Sequence, residues 1–189
     1  HGSTVNVCSL DMSKAFDKIC HSALFSKLCD RRLPMNIIKL LSSWYGKCYG
    51  VVKWSNCLSS RFPVLAGVRQ GGVLSPILFG LYVDCLVDSL KASKIGCYIG
   101  IQYMGIFLYA DDLILLSASI ADLQKMVDIC SQEFNHLNMK INAAKSTCIR
   151  IGSQFDAKCV NIQIDGNQIS WARRETRFHD RAARPRRGV

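Results

Sequence analysis

Ile106-Phe107-Leu108-Tyr109-Ala110-Asp111-Asp112-Leu113-Ile114-Leu115-Leu116 sets two acids between two apolar flanks. Those flanks are rich in the residues that fit pleated, buried strands, and a short polar break between two such runs predicts a hairpin. The stretch from Ile99 to Ser117 therefore reads as two buried strands folding back at Ala110-Asp111-Asp112, with the acids at the tip. Adjacent, partly buried like charges are costly unless neutralised, and a divalent cation neutralises them. Taken alone, Asp-Asp reads as well as a solvent-exposed turn, so the residues around it decide. Asp11 is one of them: it ends the run Thr4-Val5-Asn6-Val7-Cys8-Ser9-Leu10, and strand alternation puts it on the face of Val5 and Val7. Three carboxylates meeting at one sheet edge could hold two Mg²⁺ about 4 Å apart, an arrangement that activates an attacking hydroxyl and stabilises a leaving pyrophosphate.

Outward from the hairpin, the chain alternates strand and helix signals. A helix is expected over Lys18 to Arg31 with Leu24 and Leu28 on one face, and another after Pro34, where Ile37, Leu40, Leu41 and Trp44 recur at helical spacing. Cys48 to Trp54 and Ser59 to Leu65 predict a pair of short strands. Ser75 as N-cap and Pro76 at the first helical position open a helix whose stripe is Leu78, Leu81, Tyr82, Cys85 and Leu86. Ser119 and Asp122 resemble a capping box before the apolar face Ile120, Leu123, Val127, Cys130, Phe134 and Leu137. Val160, Ile162 and Ile164 alternate into Asp165-Gly166, a hairpin signal. The expected class is α+β, a mixed or antiparallel sheet packed with helices, as one domain over residues 1–171.

The net charge of the 189 residues is +10, which favours a polyanionic partner. Half of it lies in the Arg-rich tail 172–189, where seven arginines face two acids; this segment cannot bury a core and is expected to be disordered. Ten cysteines without a CxxC pair argue against a zinc finger. Most are expected to act as small buried hydrophobes in a reducing, intracellular compartment. The longest apolar run, Ile106 to Leu116, is too short to cross a bilayer and carries two acids, so no membrane association is expected.

Tyr109-Ala110-Asp111-Asp112 resembles the YxDD motif C of reverse transcriptases, and Leu10-Asp11-Met12-Ser13-Lys14-Ala15-Phe16-Asp17 resembles motif A of the non-LTR and group II intron enzymes. Gly67-Val68-Arg69-Gln70-Gly71-Gly72-Val73-Leu74-Ser75-Pro76-Ile77-Leu78-Phe79 is similar to motif B, and Leu137-Asn138-Met139-Lys140-Ile141-Asn142-Ala143-Ala144-Lys145-Ser146 to motif D, in the same order along the chain. The resemblance covers residues 4 to 171 and implies a LINE-type reverse transcriptase palm with partial fingers. The implied activity is RNA-directed DNA polymerisation from an RNA template, a DNA primer and dNTPs, with two Mg²⁺, or Mn²⁺ in their place. It implies that Asp11 and Asp111 bind both metals, that Asp112 supports them, and that the Met12 carbonyl completes the set. Phe16 would lie beneath the incoming sugar and select deoxynucleotides, and Gln70 would contact the nascent base pair from a loop where Gly71 allows close approach. Lys145 would protonate or neutralise the departing pyrophosphate, with Lys14 and Arg69 near phosphates.

Against the family pattern, no basic fingers segment is found before Asp11, and Ala172-Arg173-Arg174-Glu175 does not resemble the primer grip. The reading is therefore of a fragment, weak or inactive alone, with a catalytically inactive nucleic-acid-binding remnant as the alternative. An RNA-dependent RNA polymerase palm is a third reading, opposed by Ala110-Asp111-Asp112 where such enzymes usually have Gly-Asp-Asp, and by Phe16. The tail's functional reading is an RNA-binding or nuclear-import arm, which favours a nuclear location.

Overall fold

Strand alternation in Val5–Asp11 gives β1, the strand about which the chain is organised. Asn6, Cys8 and Leu10 are buried, while Val5, Val7, Ser9 and Asp11 share the less buried side. The computed structural model describes residues 4–153 and 159–172. After β1 come a 3-10 turn (Phe16–Lys18), α1 (His21–Asp30), α2 (Met35–Gly46), and four two-residue strands, β2 (Tyr49–Gly50), β3 (Lys53–Trp54), β4 (Cys57–Leu58) and β5 (Phe62–Pro63). Then follow α3 (Ser75–Ala92), the small hairpin β6 (Tyr98–Ile99) and β7 (Gln102–Tyr103), β8 (Ile106–Tyr109), β9 (Asp112–Ser117), α4 (Ile120–His136), β10 (Thr147–Ile151), β11 (Ile162–Ile164) and β12 (Asn167–Trp171).

Six strands form one sheet in the order β11-β12-β10-β1-β9-β8, antiparallel throughout except for the parallel pair β10 and β12. The class is α+β with a mixed sheet, as the sequence led us to expect. Helices α3 and α4 pack on each other and on the sheet face carrying Cys8, Leu10, Leu113 and Leu115. Phe79, Tyr82 and Leu86 of α3 and Leu123, Val127, Cys130 and Phe134 of α4 are fully buried there, each large side chain contributing about 1.5–3 kcal/mol. Ser89 Oγ donates to Glu133 across the two helices at 2.7 Å, and Arg31 at the end of α1 pairs with Asp84 of α3. No helix among the described residues is long and apolar enough to cross a membrane.

Several expectations need correction. The first helix begins at His21, because the Phe16–Lys18 turn intervenes. Helix α2 buries Ile38 and Leu41, whereas Ile37, Leu40 and Trp44 of the expected stripe are 42%, 64% and 58% exposed. Ser75 is the first residue of α3 and not its cap; its hydroxyl donates back to the Arg69 carbonyl. In that stripe Leu78, Tyr82 and Leu86 are buried, but Cys85 is half-buried and receives Lys27 Nζ at 3.1 Å. The continuous strand expected from Ile99 is broken by the β6–β7 hairpin. Strand β10 adds to the strands that the sequence patterning predicts. All ten cysteines are free, yet only Cys8, Cys130 and Cys148 are buried, since Cys20, Cys29 and Cys57 fall on exposed faces. Ser119 does cap α4, accepting from Asp122 N at 3.4 Å, and Asp165-Gly166 does turn β11 into β12. The tail from Arg173 onward lies outside the described residues.

Candidate active site

The register of β1 on β9 places Asp11 opposite Asp112. On its other edge the Asp11 carbonyl accepts from Asn142 N at 2.8 Å and its amide donates to Ser146 Oγ at 3.1 Å. Both backbone groups of Asp11 therefore face away from β9, which makes Asp11–Asp112 a non-hydrogen-bonded pair. Such pairs hold their Cα atoms about 4.5 Å apart, with side chains on the same face at their closest. Asp112 pairs in turn with Tyr109, closing the β8–β9 hairpin with Ala110 and Asp111 as its two loop residues. Ala110 holds a positive φ of 52°, the sign that tight hairpin turns demand and that alanine adopts only under strain.

Asp111 and Asp112 are exposed and Asp11 is half-buried. The acids are therefore not the partly buried pair that the sequence predicts, because the hairpin tip stands clear of the apolar flanks. What the fold supplies instead is convergence. A cleft of about 700 Å³ is lined by Asp11, Asp111 and Asp112 together with Lys14, Lys18, Lys140 and Lys145, and by Met12, Ser13 and Asn138. Met12 bridges to Ile141, but the hydrogen bonds of that bridge run from Asn142 N to the Asp11 carbonyl and from Ser13 N to the Lys140 carbonyl. The Met12 carbonyl takes no part in it. As the side chains stand, no three His, Cys, Asp or Glu residues among the described ones are grouped closely enough to hold a metal ion.

Of the residues singled out from the sequence, Asp11, Met12, Lys14, Asp111, Asp112 and Lys145 share the cleft, whereas Phe16, Arg69, Gln70 and Gly71 are not on its lining. These four nevertheless belong to one neighbouring assembly. Val68 N donates to the Phe16 carbonyl at 2.8 Å, Gly67 N to the Ile19 carbonyl at 2.8 Å, and His21 Nε2 lies 2.7 Å from the Gly67 carbonyl. Phe16 packs its ring on Phe79 with centroids 5.2 Å apart. Gln70 donates to Asp17 Oδ1 at 3.2 Å, and Gly71 carries φ 78° in an exposed turn. The loop before α3 is thus pinned to the turn that follows Asp11. Sequence reasoning gave no role to Lys18, Asn138, Lys140 or Ser146. Lys18 stands four residues after Lys14, and Lys140 follows the buried Met139, so both could have been suspected from their charge beside motif positions.

A family profile described as reverse transcriptase (RNA-dependent DNA polymerase) matches residues 1–178. The chain is 31% identical over 166 residues to the Pol polyprotein of the type-2 retrotransposable element R2DM of Drosophila melanogaster, covering 86% of this chain and 15% of that protein. It is 26% identical over 166 residues to the RNA-directed DNA polymerase of the mobile element jockey of the same fly, covering 85% of this chain and 18% of that protein. Among solved structures, an apo telomerase from Candida tropicalis truncated from its C-terminal domain superposes with a TM-score of 0.60 at 21% identity, over 84% of this chain and 32% of that one. That likeness concerns the fold. The chain spans less than a third of each of these proteins.

Proposed function

The chain belongs to the reverse transcriptase (RNA-dependent DNA polymerase) family, and from that premise we propose that its acid-and-lysine cleft carries out template-directed deoxynucleotidyl transfer with two divalent ions. The observation that carries the proposal is the direct opposition of Asp11 and Asp112, beside Asp111, in a cleft whose other charged residues are four lysines. Like charges facing each other across a sheet are destabilising, so the site is suited to a cation of high charge density. The donors are hard oxygens, which suit Mg²⁺ or Mn²⁺. Asp11 and Asp111 would hold both ions, with Asp112 and the Met12 carbonyl completing the set. Asp111 and Asp112 are exposed, so their side chains have room to change rotamer toward a shared ion. When bound, the ions would activate the primer's 3′-hydroxyl and stabilise the charge on the pyrophosphate.

The remaining roles fall to the protein's own groups. Lys145 would present its ammonium to the departing pyrophosphate, a proton donor and counter-charge on one flexible stem. Lys14 would sit near the phosphates, with Lys18 and Lys140 extending the same positive lining, and Arg69 would approach phosphates from the loop beside the cleft. Phe16, held by Phe79 and by the backbone of the loop before α3, would set the floor beneath the sugar and exclude a 2′-hydroxyl. Gln70 would leave Asp17 to meet the nascent base pair, with Gly71 allowing close backbone approach. An RNA template and DNA primer are the expected polymer partners.

Primer extension on an RNA template with dNTPs and Mg²⁺ or Mn²⁺ tests this reading. The expected result is weak template-directed addition that is abolished in Asp111→Asn, which removes a ligand of the ions. Extension insensitive to that change would overturn the proposal. Binding of primer–template with no extension under any metal would favour a non-catalytic nucleic-acid-binding remnant.

A further inference from the structure

The ladder between β1 and β10 is regular up to Ser9 opposite Thr147, and the next backbone bridge joins Met12 to Ile141. While β1 advances from residue 9 to 12, its partner runs from 147 back to 141, so the segment around Asn142 to Ser146 loops out, carrying Lys145 with it. In a straight ladder the Asp11 amide would donate to a backbone carbonyl of the neighbouring strand. Here its acceptor is the Ser146 hydroxyl at 3.1 Å. That hydroxyl, on a residue only 3% exposed, donates in turn to the Asn142 carbonyl at 2.8 Å, and the Asn142 amide returns to the Asp11 carbonyl at 2.8 Å. One side-chain oxygen thus replaces the missing ladder acceptor and locks the loop onto the strand end.

We infer that Ser146 is the positioning residue for Asp11: its hydroxyl fixes the backbone from which the Asp11 carboxylate enters the cleft and couples that position to the loop bearing Lys145. The inference rests on the reading of Asp11 as a metal-binding carboxylate. Removing the hydroxyl leaves a partly buried amide unpaired at the residue whose geometry matters most. It leaves every cleft side chain chemically intact. Such supporting groups typically set metal affinity without touching the metal.

The test is Mn²⁺ affinity of the 189-residue chain, measured by electron paramagnetic resonance, with hydrogen exchange of the Asp11 amide and circular dichroism in parallel. Ser146→Ala is expected to weaken Mn²⁺ binding ~10-fold and to speed exchange at Asp11 while the circular dichroism spectrum is retained; Ser146→Thr, which restores the hydroxyl, should stay within about twofold of the wild type. Asp11→Asn serves as the reference for the site. If Asp11→Asn loses Mn²⁺ but Ser146→Ala binds it like the wild type, the inference fails and the reading of Asp11 stands. If Ser146→Thr is as weak as Ser146→Ala, the effect is one of packing and the inference also fails. Undiminished Mn²⁺ binding by Asp11→Asn would overturn the reading of Asp11, and this inference with it.

Discussion

Asp11 shows how far single residues could be read. Its face followed from period-two alternation in β1, and the register confirms that it shares a side with Asp112. Ser146 could not be read in the same way, because its bond to Asp11 spans 135 residues and leaves no periodic trace in the sequence. Tyr103 is a second residue whose state only packing reveals. Its hydroxyl is buried without a hydrogen-bond partner among the described residues, and burial pushes it from its ordinary value of 10 up to about 12. The folded chain therefore holds that proton more tightly than the unfolded one. Below pH 10 its titration leaves stability unchanged, and stability falls as pH rises from 10 through about 12, where the unfolded chain gives up the proton before the folded one. Tyr103→Phe removes an unsatisfied polar atom and should raise stability by about 1 kcal/mol at neutral pH, while flattening the decline between pH 10 and 12. Urea unfolding at pH 7 and pH 11 checks both; a destabilised variant at pH 7 would show that the hydroxyl has a partner after all.

At the scale of elements, legibility tracked the strength of the local signal. Ser119 and the Asp165-Gly166 turn were found because their chemistry is local. Strand β10 was missed because only Cys148 is fully buried in it, so its hydrophobic alternation is faint although it lies between β1 and β12. In α2 the apolar residues form a broad band opposite Asn36, Lys39, Ser42 and Ser43, and periodicity cannot choose within that band between Ile37-Leu40-Leu41-Trp44 and Ile38-Leu41-Tyr45. The loop before α3 carries a sharper constraint. Gly67 has φ 90°, and a Cβ there would lie 3.0 Å from the Phe16 carbonyl and 3.1 Å from the Asp17 Cα. Both obstacles are backbone, so neither can move aside cheaply. Gly67→Ala should lower stability by about 1–3 kcal/mol and shift the turn that carries Phe16. Urea unfolding measures the first effect, and an unchanged midpoint would mean that the loop is not seated on that turn.

Across the whole molecule, two distributions of charge act together. From Arg31 to Val83 the chain has seven Lys and Arg residues and no acid, while Asp11, Asp111 and Asp112 meet in one cleft ringed by lysines. A long basic stretch suits a phosphate backbone, and a group of carboxylates suits cations, so on the proposed reading a polyanionic strand and divalent ions would engage different residues of the chain. Helices α3 and α4 cover one face of the sheet, and the acids belong to the other, so the core can be packed densely without burying the chemistry. The most direct test of this account is the anomalous scattering of Mn²⁺ in crystals of the chain. We predict peaks inside the cleft, bound by carboxylate oxygens of Asp11 and Asp111, and absent in Asp111→Asn. Peaks confined to other acids, or a cleft that stays empty at Mn²⁺ concentrations that support primer extension, would contradict it.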